Sequence, residues 1–307
     1  VQIDIIDLKK SFGSITALAG LSLHIKSGEF FGLLGANGAG KSTLMNLLTG
    51  FHEVDSGSFR LNENPYDPIN SKEKTSIGFV PQDIALYQEL TAVQNLKIFG
   101  GLCGIPTKEI PKKIDFILER VGLFDRRKER VQGFSGGMKR RLNIAASLMH
   151  EPKIVLCDEP TVGIDPQSRN AIFDLLQELN ETGTTIIYST HYMEEAEMLC
   201  DRISIIDQGK ILAVGTLDEL LEKVPTHKRI VFSRRRLSDS LSVTDLEFFG
   251  KIVDGKESIF IDTHTDFTLS KFYEWVESKG LESSWFRVQQ PTLENLFLEL
   301  TGKELRE

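Results

Sequence analysis

Eight consecutive residues, Gly35-Ala36-Asn37-Gly38-Ala39-Gly40-Lys41-Ser42, fit the pattern G-x-x-x-x-G-K-[ST] at every specified position. Before them Glu29 to Leu34 is a short apolar run of strand type, and after them Ser42 to Leu48 reads as a helix that Gly50 can cap. Strand, glycine loop and helix in that order predict an α/β fold class. Glycines let successive backbone N–H groups turn inward onto a di- or triphosphate, and the helix N-terminus adds partial positive charge. Lys41 then reaches the β and γ phosphates, and the Ser42 hydroxyl holds Mg²⁺.

With 307 residues, 40% of them hydrophobic, the chain is longer than most single domains, and two are expected. The net charge of −8 argues against a nucleic-acid partner, because phosphate binding along an extended surface needs excess Lys and Arg. The one basic cluster, Arg234-Arg235-Arg236, reads as a solvated face. Cys103, Cys157 and Cys200 have no C-x-x-C spacing, which predicts a reducing compartment, no zinc site and three core thiols. No apolar run reaches the length of a membrane span, and no secretory signal is visible; the first residue, Val1, leaves the natural start open.

Along the chain, Gln2 to Leu8 alternates as a strand with Ile3 and Ile5 on one side, and Phe12-Gly13 interrupts it. Leu21, Leu23 and Ile25 mark a second strand, and Ser58 to Leu61 and Ile77 to Val80 two more. Residues 84–150 then read as a helical insert. Thr91-Ala92-Val93-Gln94 is a capping box with Leu96, Phe99 and Leu102 behind it, and Ile110, Ile114, Ile117, Leu118 and Val121 form a second stripe ending at Gly122. Lys153 to Glu159 is an apolar strand that ends in two carboxylates. Beside a phosphate loop, Asp158 would hold Mg²⁺ and Glu159 would activate a water. Taken alone, the pair would read as a turn before Pro160. Asn170 to Leu179 reads as a helix and Thr184 to Ser189 as a strand, which delivers His191 to the end of the same sheet. Ile203 to Asp207 and Lys210 to Val214 form a closing hairpin.

The domain boundary is placed at 225/226. Beyond it, Arg229 to Ser233, Leu246 to Phe249 and Ser258 to Ile261 read as strands, and Leu269, Phe272, Tyr273 and Val276 as a helical face. A last helix carries Leu293, Leu296, Phe297 and Leu300 on one side. Residues 226–307 thus form an accessory α+β unit whose final stripe is read as self-packing, with dimer contact as the second possibility.

These motifs, with Gln82 and Phe134-Ser135-Gly136-Gly137-Met138 between them, make residues 1–225 resemble the nucleotide-binding subunit of an ATP-binding cassette (ABC) transporter. The resemblance implies a P-loop core with an N-terminal antiparallel β subdomain and a helical insert. It makes Phe12 the aromatic that stacks on adenine and Gly35 to Thr43 the ATP phosphate loop. Gln82 becomes a Mg²⁺ ligand that senses the membrane partner, and Ser135, Gly136 and Gly137 the signature. Asp158 and Glu159 become metal ligand and base, Asp165 the residue of the loop crossing a dimer interface, and His191 the γ-phosphate switch. The signature departs from the commonest form L-S-G-G-Q at Phe134 and Met138, but it keeps the serine and glycines that a helix N-terminus needs to receive phosphate. With Ser189 to Glu197 and Pro291 to Phe297, it is similar to the branch of drug, antibiotic and lipid exporters whose membrane subunit is a separate polypeptide.

By that resemblance the chain is an ATPase peripheral to the cytoplasmic face of the cell membrane. It would dimerise with itself or with a related subunit and drive a polytopic membrane partner. The alternative, a soluble cassette acting on ribosomes or DNA, shares the motifs, but this chain has one phosphate loop and only a short interval between Lys41 and Asp158. A GTPase or small-molecule kinase would leave the serine signature unexplained, and a non-hydrolysing module would leave Glu159 unexplained. Leu86, Tyr87 and Leu90 lie between Gln82 and the capping box. They read either as burial within the insert or as a groove for a cytoplasmic helix of the membrane subunit.

Overall fold

The computed structural model describes residues 1–224, 228–234, 243–264 and 267–302. The chain forms two compact units, Val1–Thr216 and Leu217–Glu304. The boundary expected at 225/226 falls at residues 225–227, outside the described residues, as do Arg235 and Arg236.

The first unit holds two sheets. β1 (Ile3–Phe12) and β2 (Ile15–Ile25) pair antiparallel and join β4 (Ser56–Leu61) and β5 (Asn64–Tyr66) in the order β2-β1-β4-β5. Alternation places Ile3, Ile5 and Leu8 in the core, and a register shift at Asp7, whose φ is 44°, bends β1. The second sheet has the order β10-β9-β3-β8-β7-β6, with β3 (Phe30–Leu34) at its centre. β6 (Ile77–Val80), β7 (Ile154–Asp158), β8 (Thr185–Thr190) and β9 (Arg202–Asp207) run parallel to it, and β10 (Lys210–Gly215) turns back at Gln208-Gly209. β3, β7 and β8 are buried along their whole length, which is why they read as continuous apolar runs rather than alternating ones.

The helical insert packs α2 (Ala92–Leu102) and α3 (Ile110–Arg120) with α4 (Gly136–Leu148). The Thr91 capping box is formed: its hydroxyl accepts from the Gln94 N–H while the Gln94 side chain accepts from the Thr91 N–H. Leu96 is buried, but Leu102 is 75% exposed, so the expected α2 stripe is shorter than its spacing implied. Cys103 is likewise exposed and Cys200 half-buried, which corrects the expectation of three core thiols; only Cys157 is fully buried, and burial pushes its thiol up to about 12. Helices α1 (Lys41–Leu48), α5 (Pro166–Glu181) and α6 (Met193–Leu199) complete this unit.

The second unit begins with α7 (Leu217–Leu221) and continues as β11 (Arg229–Ser233), α8 (Val243–Glu247), β12 (Gly250–Asp254), β13 (Ser258–Thr263), α9 (Leu269–Ser278) and β14 (Phe286–Gln289). The sheet is antiparallel in the order β12-β13-β11-β14, so β11 to β14 follow the βαββαβ ferredoxin-like path. Leu246 to Phe249, read from sequence as a strand, is the end of α8 and the turn after it. Leu246 and Phe249 are buried there against Ile230, Phe232 and Phe272, while Phe248 between them is exposed, as a helix end and turn allow. α10 (Leu293–Thr301) buries Leu293, Leu296 and Phe297 and leaves Leu300 39% exposed.

Candidate active site

The ends of β3, β7 and β8, neighbours in one parallel sheet, deliver the predicted chemistry to a common place, as expected for the carboxyl edge of an α/β sheet. In the loop after β3, Gly38 and Gly40 have φ of 81° and 109°, a region that side chains disfavour. A Cβ at Gly40 would also lie 2.7 Å from the Ala17 carbonyl, whereas around Gly38 the space is open. Asn37 and Gly38 are exposed at the crest, Gly35 is packed against Ile206, and Ser42 and Thr43 sit half-buried in the first turn of α1.

Lys41 is 4% exposed, and its ammonium donates to the carbonyls of Gly35 at 2.7 Å and Ala36 at 3.1 Å. The same nitrogen lies 3.0 Å from Glu159 Oε1, and Glu159 Oε2 lies 3.1 Å from His191 Nδ1. Glu159 has φ of 44°, and its N–H donates to Ser189 Oγ at 3.0 Å; that hydroxyl in turn donates to Asp158 Oδ1 at 2.7 Å. One β8 side chain therefore holds the Asp158 carboxylate and the Glu159 backbone. Lys41, Asp158, Glu159 and His191 thus lie together. Ser189 was hidden because its position looked like plain strand.

Gln82 follows β6 with its side chain exposed, while its backbone is held from α4. Arg140, 4% exposed, donates to the Gln82 carbonyl and, at 2.7 Å, to that of Pro81. Asn143 Oδ1 accepts from the Ala85 N–H at 3.2 Å. Burial lowers the pKa of the Arg140 guanidinium. Neither residue was singled out from the sequence, where no local pattern marks which polar side chains of α4 turn inward.

Ser135 N-caps α4 and accepts from the Met138 N–H at 3.2 Å; Ser135 and Gly136 are exposed. Gly137 serves packing, since a Cβ there would lie 2.0 Å from Ser168 Oγ in the first turn of α5. Asp165 N-caps α5, and hydrogen bonds from Ser168 hold its carboxyl below the usual carboxylate value. Ser135 and Asp165 accept hydrogen bonds within the first turns of their own helices, from Met138 and Ser168. Phe12, at the tip of β1, is 43% exposed, with the His52 ring 5.2 Å away and Lys10 Nζ 5.3 Å from its centre. Its open face suits a flat base.

The donor set fits Mg²⁺ held together with a nucleotide. The Ser42 hydroxyl, the Gln82 amide and the Asp158 carboxylate are hard oxygen donors of the kind that ion shares with phosphates and water. Among the described residues no cluster of three His, Cys, Asp or Glu could hold a metal by itself.

Of the three residues expected to meet a partner, Leu86 is half-buried against the insert's core and Leu90 half-buried, whereas Tyr87 is 51% exposed. Asn95 pins the Tyr87 backbone by accepting its N–H at 2.8 Å and donating to its carbonyl at 3.0 Å.

Comparison with known proteins agrees with this geometry. Residues 18–162 match the family model described as ABC transporter. The chain is 42% identical over 306 residues to the linearmycin resistance ATP-binding protein LnrL of Bacillus subtilis (strain 168), covering 98% of each. It is 37% identical over 305 residues to the Nod factor export ATP-binding protein I of Rhizobium sp. (strain N33), covering 99% of this chain and 98% of that protein. Among solved structures it resembles the dimeric post-hydrolysis state of the ATP-binding cassette MJ0796 bound to ADP and Pi. There the TM-score is 0.63 and the identity 28%, over 70% of this chain and 98% of that one. A strand-end Lys–Glu–His cluster over a glycine phosphate loop, matched through almost the full length of such relatives, makes this chain a member of the ABC transporter family and an ATP-hydrolysing subunit of it.

Proposed function

We propose that this ATPase is a peripheral, membrane-associated exporter subunit in which two copies, or one copy and a close relative, enclose two Mg-ATP and drive a separate polytopic membrane protein. One observation carries the reading. The chain presents two half-sites: the buried Lys41–Glu159–His191 cluster, and the exposed Ser135-Gly136 helix start beside Asp165. A helix N-terminus with bare glycine N–H groups is an anion site seeking a phosphate from another chain. The dimeric ADP- and Pi-bound relative supports the same arrangement. The relatives named for linearmycin resistance and Nod factor export support a hydrophobic, drug-like or lipid-linked cargo.

In the closed dimer, Ser42, Gln82 and Asp158 would hold Mg²⁺, which when bound would supply positive charge to the β and γ phosphates. Lys41 transfers its ammonium from Glu159 to those phosphates, which frees the carboxylate to take a proton from water. His191 holds Glu159 from its other oxygen and meets the γ-phosphate. Phe12 stacks on adenine. The ferredoxin-like unit supports the dimer or regulates it.

Coupling runs through Gln82. Its backbone is tied by Arg140 to the signature helix, and Tyr87 stands exposed a few residues on. Leu86 belongs to the insert's core, so Tyr87 is the residue that can meet an amphipathic partner helix without disturbing the fold. The Tyr87→Glu protein should keep its basal ATPase rate within about twofold, as exposed substitutions do, yet fail to co-purify with or be stimulated by its membrane partner. Full stimulation of that variant would remove the coupling role. Co-purification of the parent with ribosomes or DNA instead of a membrane protein would overturn the transport reading.

A further inference from the structure

Behind the catalytic cluster lies a buried carboxylate that the chemistry above does not use. Glu195, in α6, is 3% exposed, and among the described residues it has no ion-pair partner. Three hydroxyls serve it instead. Thr161 Oγ1 donates to Oε1 at 2.8 Å, and the Tyr188 hydroxyl and Thr190 Oγ1 donate to Oε2 at 2.9 and 2.8 Å. Thr190 Oγ1 also accepts the Tyr192 N–H at 2.9 Å. Thr161, Tyr188 and Thr190 are themselves 4%, 0% and 2% exposed, and burial beside Glu195 raises the Tyr188 hydroxyl well above its ordinary value.

The anchor points of these bonds decide what they can do. Thr161 lies in the segment between Glu159 and Asp165, where its carbonyl accepts the Ile164 N–H at 3.1 Å. Thr190 and Tyr192 flank His191, and the same Glu195 oxygen fixes Thr190 and, through it, the Tyr192 N–H. A single carboxylate with two oxygens thus ties the chain that leads to the interface aspartate to the chain that carries the switch histidine. A buried anion without a cation is costly, and an apolar side chain would fill the same volume more favourably. Only the bonds it makes justify it.

We propose that Glu195 is a positioning residue. It holds His191 at Glu159 and links that placement to the Thr161–Asp165 loop, so that movement of one loop is felt by the other. The inference rests on the roles assigned above to Glu159 and His191.

The experiment is a double-mutant cycle on the full chain. Glu195→Gln should lower kcat for ATP hydrolysis by about 10–100-fold while KM for ATP stays within about threefold, because an interaction acting at the reacting geometry and not in ground-state binding shows in kcat. In the His191→Ala background, itself impaired by about 10²-fold or more as the loss of a γ-phosphate-positioning group requires, adding Glu195→Gln should change kcat by less than about threefold. A merely structural Glu195 would give additive losses. Additivity, or parental hydrolysis by Glu195→Gln, overturns the inference while leaving His191 in its role; parental hydrolysis by His191→Ala alone overturns the histidine's role first. Should Glu195→Gln fail to bind ATP, Tyr188→Phe takes its place. It removes one donor and keeps the ring, and it should lower kcat by about 3–10-fold, again silently in the His191→Ala background. An unaffected Tyr188→Phe would then overturn the proposal.

Discussion

Glu159→Gln should bind ATP at least about tenfold more tightly than the parent and hydrolyse it about 10²–10⁴-fold more slowly. The two effects come from the two oxygens of one carboxylate. Oε1 engages Lys41 at 3.0 Å, so in the parent an incoming triphosphate must win the ammonium from an anion that also repels it. The amide leaves Lys41 to the phosphates and removes the repulsion, worth on the order of 1.4 kcal/mol or more at the effective dielectric of a protein site. Oε2 faces His191, and an amide there cannot take a proton from water. With hydrolysis stalled, the ATP-bound variant should sediment as a dimer, since nucleotide bridges the two half-sites. Calorimetric titration, phosphate release and sedimentation read the three outcomes. Parental turnover would remove the base, and a monomer at saturating Mg-ATP would remove the shared site.

The sequence carried the site further than it carried its supports. Glycine at Gly38 and Gly40, lysine at the first turn of α1 and two carboxylates closing β7 are dictated by phosphate chemistry and by sheet ends, so they are written in a local pattern. Arg140 and Glu195 are not. Each lies in a run of charge, Lys139 to Arg141 in one case and Glu194 to Glu197 in the other, with no local pattern to mark the member that turns inward. Only tertiary packing turns one member of each run inward. Fold legibility divides along the same physical line. The buried parallel strands announce themselves as apolar runs, and the capping box at Thr91 is a local hydrogen-bond pattern. In the second unit Leu246 and Phe249 are apolar in either conformation, and β12 and β14 carry exposed residues on a short edge, so neither period dominates. Leu102 followed the α2 stripe in sequence and stands in solvent because the stripe outruns what packs on it.

Lys41→Met should abolish useful nucleotide binding, weakening it by about 10²–10³-fold, because charge-assisted hydrogen bonds to phosphate are worth about 1.5–3 kcal/mol each. A second loss should accompany it without any nucleotide present. Lys41 and Glu159 have side chains 3% and 5% exposed, and the ammonium also satisfies the carbonyls of Gly35 and Ala36. Removing the cation strands a buried carboxylate, a change that costs about 3–5 kcal/mol in buried pairs. For a unit of this size that lowers the melting temperature by about 6–20 °C. The discriminating protein is Lys41→Met with Glu159→Gln. With both charges gone, most of the stability should return, because His191 can still hydrogen-bond the amide, but binding should not. Thermal unfolding of the three nucleotide-free variants, followed by titration with Mg-ATP, separates the lysine's two duties. A Lys41→Met protein that melts with the parent would mean that the pair contributes nothing to the resting site and that the lysine is held by the loop carbonyls alone.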